Sequence, residues 1–318
     1  MATAQKRLEQ LQEHFRTHNK VREQRQHSSK VHSVRFNCLG TKLASGSNDK
    51  SVVIYALSDR LSKEKTFYGH NGPVDQLTWH GFNPDLLATA SGDKTVRIWD
   101  TRTYKSVSTI NTKGENINIT WSRDGNTIAV GNKEDLITFI DTKTNKIRAE
   151  EKFNFEINEI MWNKTSDQMY LTSGQGSIHV LSYPNLELLN VLKAHPATCI
   201  CIDFDQSGKY FAVGSADALT SIWDTEELTC LRVLSRLDWP VRTVSFSHDS
   251  RLLASASEDH FIDISCIETG ERVCEIKLES ATFSISFHPK QYLLAYACDD
   301  KKDDGRDAGN FKMYGFAD

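Results

Sequence analysis

The sequence predicts an all-β fold, a seven-bladed β-propeller with a short N-terminal helical tail. Three observations predict it: a repeat of near-constant length, period-two alternation inside each repeat, and ample core material without a long apolar run. The string apolar–x–aromatic recurs at Val34-Arg35-Phe36, Leu77-Thr78-Trp79, Ile119-Thr120-Trp121, Ile160-Met161-Trp162, Ile202-Asp203-Phe204, Val244-Ser245-Phe246 and Ile285-Ser286-Phe287. Successive aromatics are 43, 42, 41, 42, 42 and 41 residues apart, a period in the range of propeller blades. The 318 residues are 39% hydrophobic and 25% charged, an ordinary globular balance. No stretch reaches the ~18 consecutive apolar residues of a membrane helix, and the first residues lack the apolar segment of a secretory signal.

Each unit continues alike. After the aromatic comes a short strand ending in small residues, such as LASGS (43–47), LATAS (87–91) and LASAS (253–257). A turn acid follows at Asp49, Asp93, Glu134, Asp217, Asp259 or Asp300, then a third alternating strand, clearest in VRIWD (96–100) and LTSIWD (219–224). Such alternation, broken by frequent turns, reads as four short antiparallel strands per unit. One four-stranded sheet cannot cover both its faces; seven arranged radially cover one another and leave few free edges.

The tail precedes the first unit. Residues 1–30 carry seven basic side chains and three Glu, or +4, so the remainder carries −8 of the overall −4. Leu8, Leu11 and Phe15 form a narrow helical stripe. It suits either a helix packed on its own domain or a basic arm docked on a partner or on RNA phosphates. The expected organisation is a basic tail at 1–19 and a propeller at 20–316. The last unit runs out of sequence after Asn310–Tyr314, so residues ~20–26, just before His27, are expected to supply its outer strand and clasp the ring. The acid-rich stretch Asp299–Gly309 reads as an exposed loop within the seventh unit.

These strings resemble WD-repeat propellers over residues 27–316. In that family a buried His, Ser/Thr, Asp and Trp form a hydrogen-bonded set within a blade. The resemblance carries all four to His70, Thr89, Asp93 and Trp99. His195, Asp217 and Trp223 keep three, with Val213 where the hydroxyl belongs. The first unit has His27, Ser45 and Asp49 but Tyr55 for the Trp, while the third and fourth units lack both His and Trp at these positions. The set is read as structural, because a buried carboxylate is tolerated only when paired or hydrogen-bonded.

No catalytic constellation, cofactor fingerprint or metal-ligand spacing stands out, and neither a cofactor nor a small-molecule substrate is expected. The seven Cys include no C-x-x-C pair, as expected of reduced thiols in an intracellular protein. Cys199-x-Cys201 is expected to put both thiols on one strand face in the core. Gly174-Gln175-Gly176 reads as a turn.

What remains is a rigid disc with loop-lined faces, where binding concentrates. The residue four before each repeat aromatic is expected at the channel mouth: His32, Asp75, Ile117, Asn158, Ile200, Arg242 and Phe283. Residues before the turn acids, among them Lys133 and Glu258, lie beside them. This mix of Arg, aromatic and acid suits a protein partner better than a polyanion. Trp239, in Leu237-Asp238-Trp239-Pro240-Val241-Arg242, is either packed under its blade or an exposed anchor.

Several strings at non-generic positions are more specific: NTKGENINITWS (111–122), AVGNKED (129–135), GSADALTSIWD (214–224) and SRLDWPVRTVSFSHDSRLLASASEDHFIDI (235–264). They resemble the WD-repeat subunits of the THO complex from about residue 14 onward. The resemblance implies a non-enzymatic nuclear scaffold of the THO/TREX assembly, which couples transcription and mRNA processing to mRNA export. Its partners would be other THO/TREX subunits, with RNA reached indirectly and no membrane contact. The alternatives are direct RNA binding through the basic tail, or a substrate receptor in another complex.

Overall fold

A computed structural model describes residues 2–58, 61–103 and 105–317. Its described strands form seven four-stranded antiparallel sheets. Blade one comprises Val31–Phe36, Lys42–Ser47, Val52–Leu57 and Leu61–Phe67, from the channel outward. Blade two comprises Val74–Trp79, Leu86–Ser91, Thr95–Asp100 and Ser106–Asn111, and blade five Cys199–Phe204, Tyr210–Ser215, Thr220–Asp224 and Cys230–Leu234. Second strands such as Leu86–Ser91 are almost wholly buried, whereas outer strands expose most of their length. That gradient follows from position: inner strands are covered on both faces by neighbouring blades, and the apolar LASGS-type strings supply them.

The core lies between blades. Seven clusters of buried apolar residues each bridge two neighbouring sheets, and the last joins blade seven back to blade one through Phe311, Met313, Val34 and Tyr55. Blade seven consists of Ile285–Phe287, Leu294–Ala297 and Asn310–Phe316, with Lys20–Arg25 as its outer strand. Val21 pairs with Tyr314 and Gln24 with Phe311.

Every innermost strand presents a free edge to the channel, and its N–H groups need acceptors. In blades one, three, six and seven a neighbouring blade supplies some of them. Ser284 Oγ accepts from the Val34 amide at 3.0 Å, Ser245 Oγ from Phe287 at 3.0 Å, Asp203 Oδ2 from Phe246 at 3.0 Å and Gln76 Oε1 from Ile119 at 2.5 Å. The polar channel wall is thus a set of blade-to-blade fasteners.

The hairpin turns between second and third strands use a left-handed residue: Lys50 (φ 71°), Lys94 (64°) and Ala218 (66°). Blade four has Gly176 there (φ 77°), and a Cβ would stand 2.1 Å from the His195 carbonyl oxygen. The glycine answers both the turn and this close approach.

Helix α1, Ala2–Thr17, is built from good helix formers without Gly or Pro. Its stripe Leu8, Leu11 and Phe15 is buried in the cluster between blades six and seven. Gln12 Nε2 donates to the Arg272 carbonyl (3.0 Å), the Tyr314 hydroxyl to the Phe15 carbonyl (3.2 Å), and Arg7 meets Glu268 at 2.7 Å. Of the two readings of this stripe, the first holds: it packs on its own propeller. Residues 301–306 are exposed, but the loop is tethered: Asp307 accepts from Ser29 Oγ (3.0 Å) and the Lys30 amide (3.1 Å).

Candidate partner interface around the channel mouth

The mouth residues share a backbone cause. In blades one to five the first strand slips register at the residue four before its aromatic: between Val31 and Ser33, Val74 and Gln76, Asn116 and Asn118, Ile157 and Glu159, and Cys199 and Cys201. His32, Asp75, Ile117, Asn158 and Ile200 are therefore bulge residues, and a bulge re-aims its side chain. The same bulge corrects the expectation for Cys199 and Cys201. Cys199 is buried between blades four and five and Cys201 between five and six, because the extra residue reverses the alternation.

A cavity of about 140 Å³ at the mouth is lined by His32, Asp75, Arg242 and Phe283, with Arg35, Gln76 and Glu159 beneath. Burial outweighs the Gly92 amide and the Lys133 charge on Asp75 and pushes its carboxyl up to about 6; burial and then Lys30 push His32 below the usual imidazole range. At neutral pH the mouth therefore holds a neutral imidazole and a largely ionised, incompletely solvated carboxylate. Arg242 Nε and Nη2 both donate to Glu258 Oε1, at 3.0 and 2.8 Å. Lys133 meets Glu115 at 2.5 Å on the rim. Lys30, which the sequence reading passed over, sits 4.0 Å from the Phe283 ring centroid and 3.3 Å from Asp299.

Asn158 does not join them as a presented group. Its amide donates to the Cys199 carbonyl (3.1 Å) while its own carbonyl accepts from Asn118 (3.0 Å), so it fastens the wall. Trp239 is 56% exposed. The Asp238 and Trp239 amides donate to Asp259 at 3.0 and 3.1 Å, so the turn acid of blade six holds this loop by its backbone and leaves the indole outside. Tyr68, 76% exposed, precedes Gly69-His70 and was missed because only its neighbours carried a motif.

Deeper in the channel lie two carboxylates. Gln76 Nε2 donates to Glu159 at 3.0 and 3.1 Å; burial outweighs this bond and pushes Glu159 up to about 7. Burial likewise raises Asp203 to about 6 against two backbone donors. Arg35, which donates to the Ile285 carbonyl at 2.6 Å, opposes both shifts.

The blade networks lie outside this surface. In blade two the His70 ring nitrogens lie 2.9 Å from Asp93 and 2.7 Å from Thr89 Oγ1, and Trp99 Nε1 donates to that oxygen at 2.9 Å. A carboxylate only accepts, so His70 carries its proton on Nδ1, and Nε2 accepts from the Thr89 hydroxyl. Burial alone would raise Asp93; bonds from His70, Thr95 and the Asn71 amide outweigh it and hold the carboxyl far below the usual range. Blade five corrects the expectation of a missing hydroxyl. Ser221 Oγ lies 2.8 Å from His195 Nε2 and accepts from Trp223 Nε1 at 2.8 Å, with Asp217 3.0 Å from His195 Nδ1. Ser221 pairs directly with Val213 across the sheet, and cross-strand neighbours share a face.

Among the described residues, no group of three or more His, Cys, Asp or Glu is placed to hold a metal ion, and no helix is long and apolar enough to cross a membrane. The seven cysteines are free thiols.

Residues 27–297 match the family model described as the THOC3 beta-propeller domain. The chain is 48% identical over 299 residues to THO complex subunit 3 of Arabidopsis thaliana, covering 93% of this chain and 95% of that protein. It is 32% identical over 291 residues to the WD repeat-containing protein AAC3 of Dictyostelium discoideum, covering 83% of this chain and 61% of the relative. A chicken (Gallus gallus) serine-threonine kinase receptor-associated protein matches at 25% over 203 residues, 63% of this chain and 56% of the other. The chain belongs to the family of THOC3 β-propellers.

Proposed function

We propose that this chain is a non-enzymatic scaffold subunit of a THO/TREX-type assembly in the nucleus, coupling transcription and mRNA processing to mRNA export through protein contacts. The observation that carries this reading is the near full-length likeness to a THO complex subunit, 48% identical over 95% of that protein's length. Other subunits of the assembly are the partners, and RNA is reached through them. The channel mouth and its rim offer the contact surface: Arg242 with Glu258, Phe283 under Lys30, Asp75 with His32, Lys133, and the exposed indole of Trp239. Aromatic and Arg side chains on a stiff frame are what protein interfaces select as anchors, because little conformational entropy is lost on binding.

Affinity purification from nuclear extract tests the reading. The wild-type chain should return the remaining THO subunits, while Arg242→Glu and Asp75→Lys lose them with the thermal melt retained. Normal assembly of both folded variants would show that the mouth is not the contact face. Failure of the wild type to return such subunits would overturn the assembly itself.

A further inference from the structure

On the outer rim, away from the mouth, a groove of about 540 Å³ runs between blades five and six alongside helix α1. Its floor is apolar: Ile222, Cys266 and Ile267 are buried there, while Leu231 on the outer strand of blade five is 48% exposed. One wall is α1 itself, through Arg7 and Leu11. A volume of this size lies within the range of about 300–1,000 Å³ typical of ligand sites.

We infer that this groove seats an amphipathic helix of a protein partner, apolar on one side and flanked by acidic residues, laid beside α1. This inference rests on reading the chain as an assembly subunit. Two features select that occupant. The first is the seat next door, where α1 lies against the outer strand of blade six (Arg272–Lys277) and buries Leu8, Leu11 and Phe15. The rim of this propeller thus already accepts an amphipathic helix, and the groove continues that apolar seat along the free flank of α1. Neighbouring helices pack with axes about 8–10 Å apart, so a second helix would rest on α1 and blade five together.

The second feature is charge. The lining holds three arginines, Arg7, Arg232 and Arg251, against one acid, Glu268. Glu268 is taken by Arg7 at 2.7 Å. Arg232 donates to the carbonyls of Ile267 and Glu268, which leaves its positive charge uncompensated. Arg251 reaches Asp249 only at 3.4 Å, with 58% of its side chain exposed. Acidic flanks on the incoming helix would complement this field and set its direction of approach.

The test places a benzophenone amino acid at position 231 of the full chain, co-expressed with the subunits that co-purify with it, and maps the photoproduct by mass spectrometry. The expected crosslink is to one partner segment with apolar residues at three- and four-residue spacing and acidic neighbours. That segment, made as a labelled peptide, should bind the full chain and turn helical on binding. Leu231→Glu and Arg251→Glu, both exposed positions, should each weaken it at least tenfold with the thermal melt unchanged. The inference is overturned by no crosslink, by a crosslink to a second copy of this chain, by a peptide that binds as an extended strand, or by affinity that ignores both substitutions. If the assembly co-purifies and the groove fails these tests, only the groove is wrong; if nothing co-purifies, the reading it rests on falls as well.

Discussion

Blades two and five close the same hydrogen-bonded loop from different strands. In blade two the hydroxyl is Thr89, on the second strand, with Arg97 opposite it; in blade five the second strand offers Val213 and the hydroxyl comes from Ser221 opposite. In both, His Nε2 and Trp Nε1 meet that oxygen at 2.7–2.9 Å, while the Asp lies 2.9–3.0 Å from the other histidine nitrogen. What the fold holds fixed is the position of an oxygen in space, and two strands can deliver it because directly paired residues sit side by side on one face. Blade one is intermediate: His27 keeps its bonds to Ser45 (2.7 Å) and Asp49 (3.0 Å), and Tyr55 fills the place of the indole.

The largest expected effect comes from removing the indole that both blades share. Trp99→Ala should cost about 3–5 kcal/mol by urea denaturation, since the ring is fully buried against Phe67 and its loss leaves a cavity. Next in size is the hydroxyl. Ser221→Ala leaves His195 Nε2 and Trp223 Nε1 unpartnered and should cost about 2–3 kcal/mol. Adding Val213→Thr should recover at least half of that, by returning the hydroxyl to the strand blade two uses. A double variant no more stable than Ser221→Ala would show that the two deliveries are not equivalent.

Smaller effects separate carboxylates by environment. The folded-state affinities of Asp49 and Asp93 for a proton are depressed below the ordinary aspartate value of about 3.9. Their contribution is complete above that pH and fades as pH falls below it. Asp93→Asn should flatten the acid limb of a stability–pH curve. Glu159 behaves oppositely: raised to about 7 in the fold, against about 4.3 unfolded, it makes stability decline as pH climbs between those values. Glu159→Gln should reduce that decline and leave the acid limb alone; an unchanged slope from pH 5 to 8 would rule out the channel carboxylate as its source.

The repeat was readable because blade length is set by four strands and their turns, so aromatics every 41–43 residues mark the innermost strands directly. The mouth residues could be located by offset from those aromatics, though not the bulge that turns them inward. Cys199 and Cys201 show the cost of that gap: alternation assigned them one face, and an unpaired residue between them assigns two. Ser221 was hidden because its role depends on a partner strand, a relation that spacing within one segment does not encode. The stripe of α1 announced a helix needing cover, but its seat between blades six and seven is some 260 residues away in sequence, as in the contact of Gln12 with Arg272. Trp239 illustrates the converse: the residue stands out in the sequence, but its exposure depends on two backbone amides gripping Asp259.

The strand Lys20–Arg25 is synthesised ahead of six complete blades, and its pairing mate, Asn310–Phe316, only after them. Until then this strand has no partner, and edges of this kind invite pairing with other polypeptides. Synthesis therefore imposes a waiting period on every molecule, and the ring becomes a single cooperative object only when its oldest and newest segments zip together.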